Sequence, residues 1–207
     1  MPRRLVAVLV FVCGGILAIA GQPPATKYVD DDNCPGPGSG TDADPFCLIQ
    51  DCIDAAADGD ECVVAPGMYF ENINMLGKAV TLRSSDGPDV TTIDANGRGT
   101  VIKCISGEGP DTVIEGFTIT GGNANGDHPD DRGGGMRNEA SSPTVTSCIF
   151  SGNSAGHAGG MFNGQQSSPA VTACTFVGNS ADATNKNGFH VGRGGGMYNL
   201  DFTATRR

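Results

Sequence analysis

The sequence predicts an all-β fold, a parallel β-helix closed at its N-terminal end by one short capping α-helix. Three observations carry this. The first is a doublet: Ser141–Ala155 and Ser167–Ala181 match at a constant offset of 26 residues, with Cys148 over Cys174, Phe150 over Phe176 and Asn153 over Asn179. A fixed period between about 20 and 50 residues is the signature of a repeat architecture. The second is spacing two within each copy. Cys148 and Phe150 flank Ile149, and Cys174 and Phe176 flank Thr175, so Cys and Phe share one face of a strand. The third is composition, with 32 Gly, no Trp and 17% charged residues, which suits turn-dense β structure.

Each copy holds a second short run, Gly159-Gly160-Met161-Phe162-Asn163, matched by Gly134-Gly135-Met136-Arg137-Asn138 and Gly195-Gly196-Met197-Tyr198-Asn199. Short strands separated by Gly, Asn and Ser turns make one coil, and stacked coils bury a column that no single coil can bury. Cys148/Cys174, Phe150/Phe176 and Asn153/Asn179 are therefore expected as structural ladders. An earlier, degenerate copy, Ile114–Gly121, aligns with Val145–Gly152 at an offset of 31, because a polar loop is inserted before Gly133.

Phe150-x-x-Asn153 and Phe176-x-x-Asn179, with the Gly-Gly-x-Met segments, resemble the paired motifs of polymorphic outer-membrane-protein repeats. The segment from Tyr28-Val29-Asp30 through Asp44-Pro45-Phe46 to Ala65-Pro66-Gly67-Met68-Tyr69 resembles the opening of secreted pectate-lyase-like proteins. The copy at 114–121 lacks the Phe-x-x-Asn pattern. Together the resemblance covers about residues 27–199 and implies a right-handed, single-stranded parallel β-helix. That fold hosts lyases, hydrolases, esterases, adhesins and proteins with no chemistry, so function must come from a site.

Residues 1–20 read as a signal peptide: Arg3-Arg4, an apolar run from Leu5 to Leu17, and Ala18-Ile19-Ala20 as the cleavage site. The run is short for a membrane span. The expected location is secreted or at the cell surface. The formal net charge is −10, and without Arg3 and Arg4 only 11 of the 13 basic side chains face 23 acidic ones. That balance opposes nucleic acid and anionic membranes as partners.

Residues 21–45 read as an acidic, Gly/Pro-rich loop. Asp30, Asp31 and Asp32 are its candidate Ca²⁺ ligands, though no EF-hand spacing is present. Residues 46–57 carry Leu48, Ile49, Cys52, Ile53 and Ala56 at helical spacing, ended by Gly59. This is the cap that covers the open first coil. The β-helix is expected over 46–199, with strands at 62–65, 69–73, 79–83, 91–94 and 100–105 as its irregular first coils. Residues 200–207 read as an uncapped tail. Cys34, Cys47, Cys52 and Cys62 suggest two disulfides, with three connectivities open. Cys148 and Cys174 are expected to form an inert buried ladder.

The three histidines fall in equivalent places. His128, His157 and His190 each precede a Gly-Gly-x-Met strand, by 8, 4 and 7 residues from Met136, Met161 and Met197. Long loops in the first and third copies flank a tight middle turn, which predicts a notch rimmed by Asp127, Asp130, Asp131, Arg132, Lys186 and Arg193. His128, His157, His190, Asp130 and Asp131 are the candidate catalytic groups, since imidazole and carboxylate together can serve as acid and base. Arg137, Phe162 and Tyr198 each follow an inward Met and are expected to face out as a sugar-stacking column. No complete lyase, hydrolase or esterase active site is legible. The functional expectation is an exported, non-catalytic module that binds an extracellular polysaccharide or cell-surface component without a cofactor, Ca²⁺ apart. The alternative is a polysaccharide lyase or hydrolase that uses the notch.

Overall fold

The computed structural model describes residues 23–126, 130–182 and 192–200. The segment read as a signal peptide lies outside the described residues. Within them the protein is mostly β, and every named strand pairing is parallel.

The chain opens with β1 (Thr26–Val29), a 3-10 turn (Asp31–Asn33) and α1 (Ile49–Ala55). The first circuit contributes β2 (Glu61–Val64), β3 (Gly67–Tyr69) and β4 (Ile73–Asn74). The second contributes β5 (Thr81–Ser84), β6 (Thr91–Asp94) and β7 (Ile102–Cys104). The third adds β8 (Val113–Glu115), β9 (Thr118–Thr120), β10 (Asn123–Ala124) and β11 (Met136–Glu139). The fourth has β12 (Thr144–Thr146), β13 (Ile149–Ser151), β14 (Ser154–Ala155) and β15 (Met161–Gly164), and the last β16 (Ala170–Thr172), β17 (Thr175–Val177), β18 (Ser180–Ala181) and β19 (Met197–Asn199). Each circuit gives one strand in turn to three of the sheets, and the last three circuits give a further short strand to the fourth. The sheets run β1-β2-β5-β8-β12-β16, β3-β6-β9-β13-β17, β4-β7-β11-β15-β19 and β10-β14-β18.

The registers are those of the repeat. Val145 pairs with Ile114 and Val171, and Phe150 with Ile119 and Phe176. Met161 pairs with Met136 and Met197. Residues of like position therefore pile into columns, and Leu82, Ile114, Val145, Ile119, Phe150, Met136 and Met161 are all fully buried. Burying each such side chain is worth about 1.5–3 kcal/mol. Between the first two strands of a circuit the chain turns through a left-handed residue, at Gly116, Ser147 and Ala173 (φ 77°, 54° and 53°).

Two motifs turn out to be one packing unit. A Cβ on Gly135 would lie 2.9 Å from the Phe150 ring, and one on Gly160 would lie 2.8 Å from the Phe176 ring and collide with the Gly196 carbonyl oxygen. Phe-x-x-Asn supplies the ring, and the second glycine of Gly-Gly-x-Met leaves the space for it. The asparagines then link circuits. Asn153 Nδ2 donates to Ile119 O (2.9 Å) and Asn179 Oδ1 (3.0 Å), while its Oδ1 accepts from Gly122 N (2.9 Å). A second ladder, Asn138–Asn163–Asn199, joins β11, β15 and β19 with 2.7 Å amide hydrogen bonds.

The N-terminal end differs from the sequence expectation in detail. Thr26–Val29, inside the segment read as loop, is a strand in register with Glu61–Val64. The run 69–73 is not one strand, because a corner separates β3 from β4. The helix is shorter than 46–57. It starts at Ile49 because its cap comes from elsewhere: the Glu71 carboxylate accepts from Ile49 N (2.8 Å) and Gln50 N (3.0 Å), while Leu48 supplies no capping side chain. Burial pushes the Glu71 carboxyl above its ordinary range. Disulfides join Cys34 to Cys47 and Cys52 to Cys62, resolving the open connectivity. Such bonds belong to an oxidising compartment. Among the described residues no helix is long and apolar enough to cross a membrane.

Candidate functional site

Strands β11, β15 and β19 alternate between inside and outside. Met136, Met161 and Met197 point into the core, so Arg137, Phe162 and Tyr198 point the other way, in register with one another. The expected column therefore exists, but its exposure does not. Phe162 is fully buried and the Arg137 side chain is only 7% exposed.

The cause is the polar loop inserted before Gly133. Its last residues, 130–132, lie over the face, with the Arg132 guanidinium 5.0 Å from the centre of the Phe162 ring. The loop is tied to the middle turn by a bridge between Arg132 and His157, with His157 N donating to Asp131 O (2.7 Å) and Gly133 N to His157 O (2.9 Å). Beneath it, Arg137 is held by Glu139 (3.0 Å) and Asp130 (3.4 Å). Arg132 lies 3.7 Å from Glu139 and 3.6 Å from Asp131. Gly164 leaves room for Phe162, since a Cβ there would meet the ring at 2.6 Å.

The predicted notch is thus partly filled. Asp130 and Asp131 belong to a charge network that fastens the loop, with Asp130 alone well exposed (74%). His157 lies beside Tyr198, ring centres 6.3 Å apart. His128, Asp127, His190 and Lys186 lie outside the described residues, so the three-histidine grouping is not established. Arg193 lies over the Tyr198 ring at 6.0 Å and donates to its hydroxyl at 3.1 Å.

What remains is a recess of about 330 Å³ lined by Arg132, His157, Phe162, Arg193, Tyr198 and Leu200. Two guanidiniums, two aromatic rings and one imidazole converge there. Around it Arg137 Nε and His157 Nδ1 are buried without a hydrogen-bond partner, while Arg132 Nε and Glu139 Oε1 face opposite charges at 3.6 and 3.7 Å. Buried polar atoms without a partner are few in native proteins. Glu139 was not singled out from the sequence. The available signal was Arg137-x-Glu139, two residues apart on one strand and so on one face.

The acidic run near the N-terminus is built differently. Asp30 Oδ1 accepts from Asp32 N (3.0 Å) and Asp31 Oδ2 from Met68 N (3.0 Å), so these oxygens serve backbone amides. Among the described residues no three His, Cys, Asp or Glu side chains are grouped to hold a metal ion.

No family model matches the chain, and no curated protein or solved structure matches it.

Proposed function

We propose that this chain is an exported right-handed parallel β-helix, related in its repeats to polymorphic outer-membrane proteins and in its opening to pectate-lyase-like proteins, that binds glycans without transforming them. The handedness rests on the general rule for parallel crossovers. Export is supported by the leader-like first 20 residues and the two disulfides. The acidic charge speaks against nucleic acid and anionic membranes, so the partner is an extracellular polysaccharide or cell-surface component.

One observation carries the binding reading: the recess whose walls are the Arg132–Phe162 and Arg193–Tyr198 stacks. Tyr198 and Arg193 are its accessible members, and an aromatic face beside a guanidinium suits the apolar face and hydroxyls of a sugar ring. Glycan-array screening of the mature chain, followed by calorimetry on the hits, tests it. Binding that survives Tyr198→Ala and Arg193→Ala, or no binding to any glycan, removes this reading.

A second reading, a polysaccharide lyase or hydrolase, is favoured by the His157 imidazole, which lines the same recess beside Arg132. Reducing ends or unsaturated products released from polysaccharides by the native chain, and lost in His157→Ala, would establish it over the first.

A further inference from the structure

We propose that Cys148 and Cys174 are an oxidation site, where a third disulfide closes between neighbouring circuits when the folded protein meets a disulfide oxidant. The proposal does not depend on the glycan-binding reading. The sequence alone predicts an inert ladder at these positions. Four observations point elsewhere.

The first is register. Thr146 pairs with Thr172 before the two cysteines and Ile149 with Thr175 after them, so Cys148 and Cys174 lie one circuit apart with no slip. Adjacent strands are spaced at about 4.8 Å, inside the window of roughly 4.4–6.8 Å that a disulfide needs between its Cα atoms. Both cysteines sit at the corner between strands, each following a left-handed residue, Ser147 or Ala173, and not within a strand ladder.

The second is proximity: Cys174 packs against the core cluster that holds Cys148, each sulfur faces the carbonyl two residues before it (Cys148 to Thr146 O, 3.2 Å; Cys174 to Thr172 O, 3.3 Å), and neither is in a disulfide.

The third is asymmetry. Cys148 is buried (1% exposed), whereas Cys174 is only partly covered. The neighbouring Cys148 thiol, then backbone amides, pull the Cys174 thiol down to about 7 against the opposing effect of burial. The same contact, with burial, pushes Cys148 up. An accessible, acidic thiol beside a protonated one is an attacking and resolving pair.

The fourth is context, since two disulfides already mark an oxidising setting.

The chemistry balances. The Cys174 thiolate, its proton lost to solvent, attacks one sulfur of a disulfide oxidant such as oxidised glutathione. One glutathione leaves as thiolate. The Cys148 sulfur then attacks the Cys174 sulfur of the mixed disulfide, and its proton goes to the second departing glutathione thiolate. The two cysteines lose two electrons and the oxidant gains them.

The test treats the folded mature chain with oxidised glutathione, blocks remaining thiols with iodoacetamide and maps a non-reducing digest by mass spectrometry. The expected product is a Cys148–Cys174 cross-linked peptide, with Cys104, fully buried, recovered as a thiol that is blocked only after unfolding. In Cys148→Ala the expected product is a lasting glutathione adduct on Cys174, and the pH midpoint of Cys174 alkylation moves up from near 7. A wild-type chain that keeps glutathione on Cys174, or leaves both thiols open to iodoacetamide, overturns the proposal. So does a midpoint unmoved by Cys148→Ala. The same digest reports Cys34–Cys47 and Cys52–Cys62 as the check on folding. If Cys148→Ala does not fold, the wild-type map decides alone.

Discussion

The Phe150 and Phe176 rings lie one above the other, centroids 4.7 Å apart and planes 5° from parallel. They are the centre of the column that holds neighbouring circuits together. Phe150 has a circuit on either side and is fully buried, while Phe176 is only partly covered. Phe150→Ala is expected to cost about 3–5 kcal/mol, and Phe176→Ala clearly less, by urea unfolding of the two variants. Equal losses would mean that the column does not carry the stability assigned to it.

Gly160→Ala tests the coupling of the two motifs. The new methyl group would meet the Gly196 carbonyl and the Phe176 ring. Overpacking of that kind costs about 1–3 kcal/mol. The thermal midpoint should fall, and fall less when Phe176→Ala is already present, because the ring is then gone. Additive losses would contradict the shared packing.

Tyr198→Ala and Phe162→Ala should separate binding from folding. Tyr198 is at the recess and partly exposed, so its loss is expected to weaken glycan binding at least about tenfold while leaving the melting curve nearly unchanged. Phe162 is buried under Arg132. Its truncation should lower stability by about 3–5 kcal/mol whatever the ligand does.

Asp60 gives a pH prediction. Its carboxylate accepts from Ala57 N (3.0 Å) and Ala25 N (2.8 Å) and pairs with Lys27 (3.1 Å), and these amides first, then Lys27, hold it below its ordinary 3.8 against a smaller opposing effect of desolvation. A depressed folded-state value means the stabilisation is complete above the unfolded value and disappears as pH falls through the folded one. Asp60→Asn should therefore lower the melting temperature at neutral pH, and the gap from the parent should close below about pH 3.8. A gap that stays constant into strong acid would show that Asp60 acts through shape alone.

The parts of the fold legible in the sequence are those where one residue type recurs at a fixed interval. Phe150/Phe176 and Asn153/Asn179 could be paired by counting, and the registers agree. Even the 31-residue step to Ile119 follows from matching Gly121 to Gly152. The first circuits have no such period. The Tyr69–Ile73 corner was therefore invisible, and so was β1, whose partner lies 35 residues further on.

The site was harder for a different reason. Spacing tells that Phe162 points away from Met161, but not what lies on top of it. That depends on how the end of a polar insertion lies over it, and the fastening uses Asp130 and Arg132 from the insertion with Arg137 and Glu139 from β11. The Glu71 cap on α1 escaped for the same reason: the group that ends one element is carried by another.

One consequence concerns how such a chain can lengthen. Between the segments 144–155 and 170–181 every strand pairing recurs at the same 26-residue step. A duplicated stretch of that length, spliced in after Ala155, would meet on both sides the partners it left behind, so growth there is neutral for its neighbours. Upstream the Glu108 carboxylate binds Gly77 N, Ser106 N and Ser141 Oγ at once, clasping three circuits of unequal length. A duplication through that clasp would strand a buried charge, so gene-level expansion should be confined to the C-terminal side.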